Sequence, residues 1–412
     1  MAELTLYTKI LGLTHPWMVT DIRFVESEKA VHVRVEIDGD EPLCCPSCGN
    51  PCPRYDHRPR RWRHLDTCQF KTIVVADVPR VNCPNDGCHT VKVPWADKNS
   101  RFTLLFEAHV IDWLRVASTE SVRCNVGLSW NAVDRIMQKA VARGLSRRGD
   151  LDLSKLGVDE VAFAKRHEYI TVISNHLNQV IHLGDDRTAA SLENFYKTLE
   201  NEQKESIESI SMDMWPAYIN TTMEHIPDAL DKIAFDKFHV MADLNKAVDG
   251  VRKKEYKEQI QRDIKALTKS KYLWLSNPSN LSFDQRRRLV ELRGIAIKTA
   301  RAWAIKENAK ELWHYKSETW AEKAWLTWYG WAIRSRLEPI KKAAKKIKSH
   351  LWGIINAVTL GVHNGRAESI NSKIRFVKIQ ARGFRNRQRF KTAIYFHCGG
   401  LDLYPEFSEN PL

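Results

Sequence analysis

Two aspartates stand out because each lies in or directly after a segment of strand-like sequence. Asp159 falls inside the apolar run 156–163, and Asp213 follows the run 207–211. Paired carboxylates bind hard divalent cations through oxygen, and two such cations about 3.5–4 Å apart can clamp the attacking and leaving oxygens of a phosphodiester. An aspartate at a strand end is also a common cap or turn residue, so either acid alone favours that interpretation. Together they predict a site for Mg²⁺ or Mn²⁺.

The elements around these acids follow the order βββ-α-β-α-β. Strands are predicted at 156–163, 169–174, 179–183, 207–211 and 232–239, with a helix at 189–205 and a short helix before the last strand. This is the order of an RNase H-like core, in which the first and fourth strands are neighbours. Asp159 and Asp213 are then expected to face each other across one strand spacing, roughly 5 Å.

A site of this kind usually needs a third acid, which we expect on a helix late in the chain. Residues 366–376 are compatible with a helix that places Glu368, Asn371, Ser372 and Arg375 on one face. Glu368 is the best candidate. A glutamate in a basic helix is also a common solvent-exposed partner of arginine, so this assignment depends on the other two acids.

The cysteines are concentrated near the N-terminus. Seven of the nine lie between Cys44 and Cys88, and they include the motifs CPSCG at 45–49 and CPNDGC at 83–88. Two close pairs, each with a glycine, have the spacing by which four thiolates hold Zn²⁺ tetrahedrally. We predict a zinc ribbon with Cys45, Cys48, Cys83 and Cys88 as ligands. Buried free thiols are the alternative, and the other possible ligands are Cys44, Cys52, Cys68, His57, His64 and His89.

Two segments of the N-terminal third suit nucleic-acid binding. Arg58, Arg60, Arg61 and Arg63 interleave with aromatic residues between the cysteine pairs and predict a phosphate-binding hairpin, with a solvated charged face as the alternative. Residues 101–143 then change to helical periodicity and end in a helix capped by Ser129. A short helix, a glycine turn and a capped helix resemble a helix-turn-helix. Three residues on the last helix recur at intervals of four and could face a DNA groove, although a plain helical linker is also possible: Asn131, Arg135 and Lys139.

Residues 241–355 have the pattern of an all-α insertion. Residues 274–352 hold eight of the fourteen tryptophans, and Trp325, Trp328 and Trp331 recur at intervals of three. This stripe favours a buried core. The functional alternative is that one tryptophan stacks on an unpaired base at a DNA end.

The composition indicates a polyanionic partner. The 412 residues carry a formal net charge of +14, with a pI near 9.3. The sequence contains no apolar run of about 18 residues and no signal-peptide pattern, which argues against a membrane surface as that partner. We expect a cytoplasmic protein that binds double-stranded DNA.

The motifs together resemble the ISL-three family of bacterial insertion-sequence transposases over almost the whole chain. The two cysteine motifs are similar to the family's zinc ribbon and residues 101–143 to its helix-turn-helix. The blocks GVDE, SMDMWPAY, FDKFHV and NGRAESINSKIR resemble its catalytic segments, and RGFRN at 382–386 its C-terminal end. One departure is Ser369, where relatives often have glycine.

The resemblance implies a DDE transposase with Asp159, Asp213 and Glu368 as metal ligands. Asp236 and His239, from an Asp-x-x-His element, are implied to support the site, together with Asn371. The implied reaction is metal-dependent cleavage at the terminal inverted repeats and transfer to target DNA, by a homodimer or higher oligomer on the bacterial nucleoid. Two alternatives remain: a catalytically inactive zinc-ribbon and helix-turn-helix regulator, and a resolvase-type nuclease that cuts without joining.

The expected fold is a multidomain α+β chain in which an all-α insertion interrupts an RNase H-like α/β core. The predicted modules are N-terminal strands and zinc ribbon (1–98), helix-turn-helix (99–150), catalytic core (151–240 and 356–400), helical insertion (241–355) and a C-terminal tail (401–412).

Overall fold

The computed structural model describes residues 2–38, 43–164, 168–262, 265–362 and 365–406. Two compact units emerge from it. Unit one comprises residues 1–149 and 377–412, and unit two comprises residues 150–376. The five-module division expected from the sequence stays a prediction.

Unit one begins with a helix and a β-sheet. The elements are α1 Ala2–Ile10, β1 Trp17–Val25, β2 Ala30–Ile37, β3 Leu43–Cys44, β4 Pro51–Cys52, β5 Arg54–Thr67, β6 Phe70–Cys83 and β7 Gly87–Thr90. The N-terminal strands expected within residues 1–98 are confirmed. The chain begins instead with the helix α1, because Leu4, Tyr7 and Leu11 are spaced for one helical face and pack on the sheet core.

The sheet of unit one has the order β1-β2-β6-β5, with β7 paired to β6. Strands β2 and β6 are parallel, and the other neighbours are antiparallel. Trp62 and Val74, which are fully buried, lie at its core. The β6–β7 hairpin carries the second cysteine motif.

Three helices follow: α2 Leu104–Val116, α3 Thr119–Val126 and α4 Trp130–Ser146. Each has an N-terminal hydroxyl cap, supplied by Thr103, Ser118 and Ser129. Gly127 ends α3 in the left-handed region at φ +66°, which favours glycine. The cap by Ser129 and the helix–turn–helix order are therefore confirmed, and the last helix runs three residues beyond the expected Arg143.

Unit two opens with the expected strands and helices. They are β8 Lys155–Ala164, β9 Glu168–Asn175, β10 Val180–Asp185, α5 Ala189–Tyr196, α6 Asn201–Glu205, β11 Ser209–Met212, α7 Pro216–His225, α8 Ala229–Lys232 and β12 Ile233–Phe235. The sheet order is β10-β9-β8-β11-β12, with β8, β11 and β12 mutually parallel. The first and fourth strands are thus neighbours, as predicted.

Two boundaries in this segment differ from the prediction. The single helix expected at 189–205 is two helices, because Glu200 and Gln203 form a capping box that starts α6 anew. The last strand was expected to reach His239 but ends at Phe235. The carboxylate of Asp236 accepts a hydrogen bond from the Phe238 backbone N–H and so begins a helix.

The rest of unit two is helical. Its helices are α9 Lys237–Ile260, α10 Lys271–Leu275, α11 Phe283–Ile295, α12 Ile297–Glu311, α13 Glu318–Arg334, α14 Glu338–Ser349, α15 Leu351–Thr359 and α16 Gly365–Gln380. Trp325 and Trp328 are buried, so the core interpretation of the stripe is confirmed for them, whereas Trp331 is 39% exposed. In the described part of the chain, no helix is long and apolar enough to cross a membrane.

The chain ends in unit one with α17 Arg387–Cys398. Ala393 and Phe396 of this helix join the core formed by α2–α4, and so does Val377. From the sequence, residues 377–400 are predicted to belong to the catalytic core, whereas they lie in unit one here.

Candidate active site and DNA-binding surfaces

Three aspartates lie at one level across the parallel strands of unit two. Ser211 pairs with Gly157 in the β8–β11 register, so Asp213 and Asp159 each follow the paired residues by two positions. Met212 pairs with Phe235, so Asp213 and Asp236 each follow by one. This register therefore places the three acids side by side, Asp159 within β8 and Asp213 and Asp236 directly after β11 and β12.

Asp159 is held by two hydrogen bonds. Its Oδ1 accepts from the Glu160 backbone N–H at 2.7 Å, and its Oδ2 accepts from the Asn371 side-chain amide at 2.6 Å. Burial raises the pKa of Asp159, and the charge of Asp213 adds to that increase. A carboxylate with a raised pKa beside a second acid is the electrostatic setting in which a bound cation would be most stabilising.

Asp213 lies between a histidine and an arginine. Its Oδ1 accepts from the Met214 backbone N–H at 2.6 Å and lies 3.6 Å from Nδ1 of His239. The other ring nitrogen of His239 lies 3.6 Å from Oδ2 of the buried Asp236. His239 thus lies between two of the three aligned aspartates, because each of its two ring nitrogens faces a different carboxylate.

Arg187, which the sequence did not indicate, also belongs to this cluster and contacts Glu160. Arg187 Nη2 donates to Asp213 Oδ2 at 2.8 Å, and Nε lies 2.7 Å from Oε1 of Glu160. The guanidinium also lies 4.5 Å from the centre of the Trp215 ring. The available signal was weak: Arg187 closely follows a predicted strand, but an arginine in a loop is common.

Glu368 lies on the first turn of α16. It is exposed and lines a cavity of about 420 Å³, together with Asp236, Lys237, Phe238 and Trp313. Helix α16 contacts strand β8 through the hydrogen bond between Asn371 and Asp159. His363 and Asn364, in the turn expected before this helix, lie outside the described residues.

The donor set at the strand edge suits a hard cation, because it consists of carboxylate oxygens. Asp159 and Asp213 are brought together. Among the residues that the structure describes, Asp159, Asp213 and Glu368 do not place oxygens all within 4.8 Å of one another. The aspartate pair therefore forms the preassembled part of the site.

Three of the four expected zinc ligands converge in unit one. The ligand atoms of Cys45, Cys48, Cys83 and Asp86 all lie within 4.8 Å of one another, and the sulfurs of Cys48 and Cys83 are 3.6 Å apart. Cys88 is exposed on β7 and lies outside this group. Three thiolate donors at this spacing fit Zn²⁺, and Asp86 was not expected from the sequence.

The four arginines of the predicted hairpin lie on β5 and differ in accessibility. Arg58 and Arg61 are exposed, although Arg61 pairs with Glu28 at 2.8 Å. Arg60 donates to the Ser100 carbonyl and lies over the Trp62 ring. Arg63 is 10% exposed, pairs with Asp66 and lies over the ring of Phe106. Arg58 and Arg61 are therefore the accessible pair.

The predicted recognition face of α4 is likewise divided. Asn131 and Arg135 are exposed. Lys139 instead forms ion pairs with Asp97 at 2.7 Å and with the buried Glu107 at 2.9 Å. These pairs hold Lys139 against the body of unit one, so Asn131 and Arg135 are the exposed residues of the predicted face.

A helix-turn-helix unit and an acidic strand edge suited to a divalent cation define a DNA-processing protein. Comparison with known families agrees: residues 156–394 match the DDE transposase model of family ISL3, residues 91–141 its helix-turn-helix domain, and residues 41–88 the zinc-finger of transposases IS204/IS1001/IS1096/IS1165. The chain therefore belongs to the ISL-three family of insertion-sequence transposases, as its motifs predicted.

Two relatives illustrate the similarity. The transposase for insertion sequence element IS1557 from Mycobacterium tuberculosis is 28% identical over 421 residues, covering 94% of each chain. The transposase for IS1001 from Bordetella parapertussis is 26% identical over 355 residues, covering 84% of this chain and 87% of the relative.

Proposed function

We propose that this transposase binds the terminal inverted repeats of its element and cuts and joins DNA at the edge of an RNase H-like sheet. The ligands proposed for Mg²⁺ or Mn²⁺ are Asp159, Asp213 and Glu368. The observation that carries the proposal is the register of β8, β11 and β12, which aligns Asp159, Asp213 and Asp236. Acids aligned with no role in chemistry would only repel one another.

The residues around the ligands have separate roles. Asn371 fixes one oxygen of Asp159 and leaves lone pairs of both oxygens for other partners. His239 lies between Asp213 and Asp236 and restrains both carboxylates. Divalent cations bound there, one or a pair, would supply Lewis-acid activation of a phosphodiester and of the attacking oxygen.

The proposed reaction has two steps with no covalent protein intermediate. Water attacks the phosphodiester at the element end and breaks one P–O bond, which leaves a 3′-hydroxyl. That hydroxyl then attacks a phosphodiester of the target DNA, forms a new P–O bond and displaces the 3′-oxygen of the target strand. Phe238 and Trp313 in the cavity beside Glu368 have the aromatic character that suits stacking on DNA bases.

The DNA-binding roles are assigned to unit one. Zn²⁺ held by Cys45, Cys48, Cys83 and Cys88 is proposed to fold the ribbon, Arg58 and Arg61 to contact phosphate, and Asn131 and Arg135 to read bases. The complex is proposed to be a homodimer or higher oligomer on nucleoid DNA, because an element has two ends to join.

The deciding experiment incubates the full chain with a labelled element end, a target duplex and Mg²⁺. Wild type should yield a nicked end and a joined product. Asp159→Asn, Asp213→Asn and Glu368→Gln, which keep size but remove charge, should yield neither, whereas Asp231→Asn, at an exposed position of α8, should resemble wild type.

Each contrary outcome identifies an alternative. Binding without nicking by wild type would indicate a regulator, and nicking without joining a resolvase-type nuclease. If Glu368→Gln still cleaves DNA, Glu368 is not the third ligand, and Glu160 and Asp236 become the candidates.

A further inference from the structure

Arg187 lies where three carboxylates need charge compensation. It follows β10 and precedes α5, and its guanidinium reaches both Glu160, whose side chain is 9% exposed, and Asp213, which is 22% exposed. The contact to Glu160 is close, but it does not follow the direction of the Nε–H bond. It is therefore a charge contact, whereas the contact to Asp213 is a hydrogen bond.

The charges around Arg187 are predominantly negative. Asp159 and Glu160 are consecutive on β8, and Asp213 acts on the pKa of both, raising it. Burial is the largest cause of the raised pKa of Glu160, and the charge of Arg187 is the largest opposing cause. Arginine stays protonated under all ordinary conditions, so this compensation does not depend on a bound ion.

Packing fixes the guanidinium in this place. One face lies 4.5 Å from the centre of the Trp215 ring, and Trp215 directly precedes α7. Tyr218, on the same helix, hydrogen-bonds with Thr171 at 2.8 Å and interacts with Glu160. Trp215 and Tyr218, at the start of the same helix, thus contact both members of the Arg187–Glu160 pair.

We propose that Arg187 is a resident counter-cation and a positioning residue for Asp213. It offsets part of the negative charge of these acids before a divalent cation arrives and fixes one oxygen of Asp213, which leaves the oxygen facing His239 for the ion. This inference rests on the proposed divalent-cation site. When that site is filled, the ion carries part of the compensation, so Arg187 contributes less to stability.

The test compares melting temperatures of full-length proteins with chelator and with saturating Mg²⁺ or Mn²⁺. Without metal, Arg187→Gln should lower the melting temperature by about 5–10 °C, because it leaves the half-buried carboxylates of Glu160 and Asp213 without their arginine partner. With metal, the difference from wild type should shrink by at least half. Arg187→Lys, which keeps the charge, should lose less than Arg187→Gln in chelator.

The matched control is Arg252→Gln. Arg252 and Asp249 form an ion pair at 2.8 Å on α9, and both side chains are 11% exposed. Arg252→Gln should lower the melting temperature by the same amount with and without metal. Adding Glu160→Gln to Arg187→Gln should restore part of the metal-free stability, since it removes the charge left without a partner.

Two results would overturn separate claims. A loss from Arg187→Gln that is equal with and without metal would make the pair purely structural and refute the proposed role. A wild type whose melting temperature responds to neither cation would refute the divalent-cation site itself, and with it the premise for Arg187.

Discussion

At the scale of single residues, hydrogen bonds restrain both aspartates proposed as metal ligands and leave each with free lone pairs. Asp159 accepts from Asn371 and from a backbone N–H, and Asp213 accepts from Arg187 and from a backbone N–H. A carboxylate has about four acceptor sites, so two hydrogen bonds fix its orientation without exhausting them. Such restraint is what positions ligands for a metal ion.

The cysteine group gives a prediction about zinc. Cys45, Cys48 and Cys83 already converge, and each should be required for one bound Zn²⁺ per chain. For the fourth position we expect Cys88, because a thiolate is the stronger zinc ligand in a ribbon. Metal analysis of purified variants should find zinc lost in Cys83→Ser and Cys88→Ser and retained in Asp86→Asn. Loss in Asp86→Asn with retention in Cys88→Ser would instead make Asp86 the fourth ligand.

His64 gives a prediction about pH. The side chain is buried against Thr103, and burial lowers its pKa from the ordinary 6.5 to about 4. Between these values the unfolded chain binds a proton that the folded protein does not, so stability falls as the pH falls from 6.5 towards 4. At pH 5 this loss is roughly 2 kcal/mol.

The measurement is the free energy of unfolding in urea at pH 7 and pH 5. His64→Gln does not titrate and should lose about 2 kcal/mol less than wild type over this interval. Zinc release in acid affects both proteins, so the difference between them isolates His64. Equal losses would show that His64 titrates normally.

At the scale of elements, the two surfaces of unit one that are proposed to bind DNA are built differently. On β5, Arg60 and Arg63 contact other residues of unit one, whereas Arg58 and Arg61 are exposed. On α4, the exposed residues are Asn131 and Arg135. Phosphate contacts fix affinity and base contacts fix sequence preference. The strand and the helix should therefore differ in what their variants change.

Binding assays with element-end DNA and scrambled DNA test this division. Asn131→Ala or Arg135→Ala should weaken binding to the element end about 10- to 100-fold and have little effect on scrambled DNA. The double variant Arg58→Ala/Arg61→Ala should weaken binding to both DNAs alike. Lys139→Ala serves as a control for folding, because Lys139 is held by Asp97 and Glu107. A uniform loss in all variants would contradict separate roles.

At the scale of the whole molecule, the net charge of +14 predicts strongly salt-dependent DNA binding. About four phosphate contacts would weaken binding roughly 100-fold between 50 and 200 mM salt. Asp159→Asn and Glu368→Gln should keep this salt dependence while losing cleavage, because binding is assigned to the other unit. Affinity measured across this salt series checks the prediction, and a catalytic variant with a much shallower slope would contradict it.

The sequence by itself determined the features that depend on local pattern. The alternation of apolar residues, the cap at Ser129 and the spacing of the cysteines are set by neighbours within a few positions. The strand order that pairs β8 with β11 also followed, because the order of elements restricts the possible topologies. The same local reasoning failed at Asp236. The apolar pattern predicted a strand to His239, but the strand ends at Phe235 because the Asp236 side chain caps the following helix.

Only the tertiary structure decided which contacts surround the acids. Asn371, which the family resemblance implied as a supporting residue, contacts Asp159 across 212 positions of sequence. Arg187, which the sequence did not indicate, contacts Asp213 across 26. The tertiary structure also gives Lys139 and Arg63 partners within the protein, so these two residues are less available on the predicted DNA-binding surfaces. Such contacts depend on how distant elements pack and on which charges become buried, and periodicity along the chain carries no information about either.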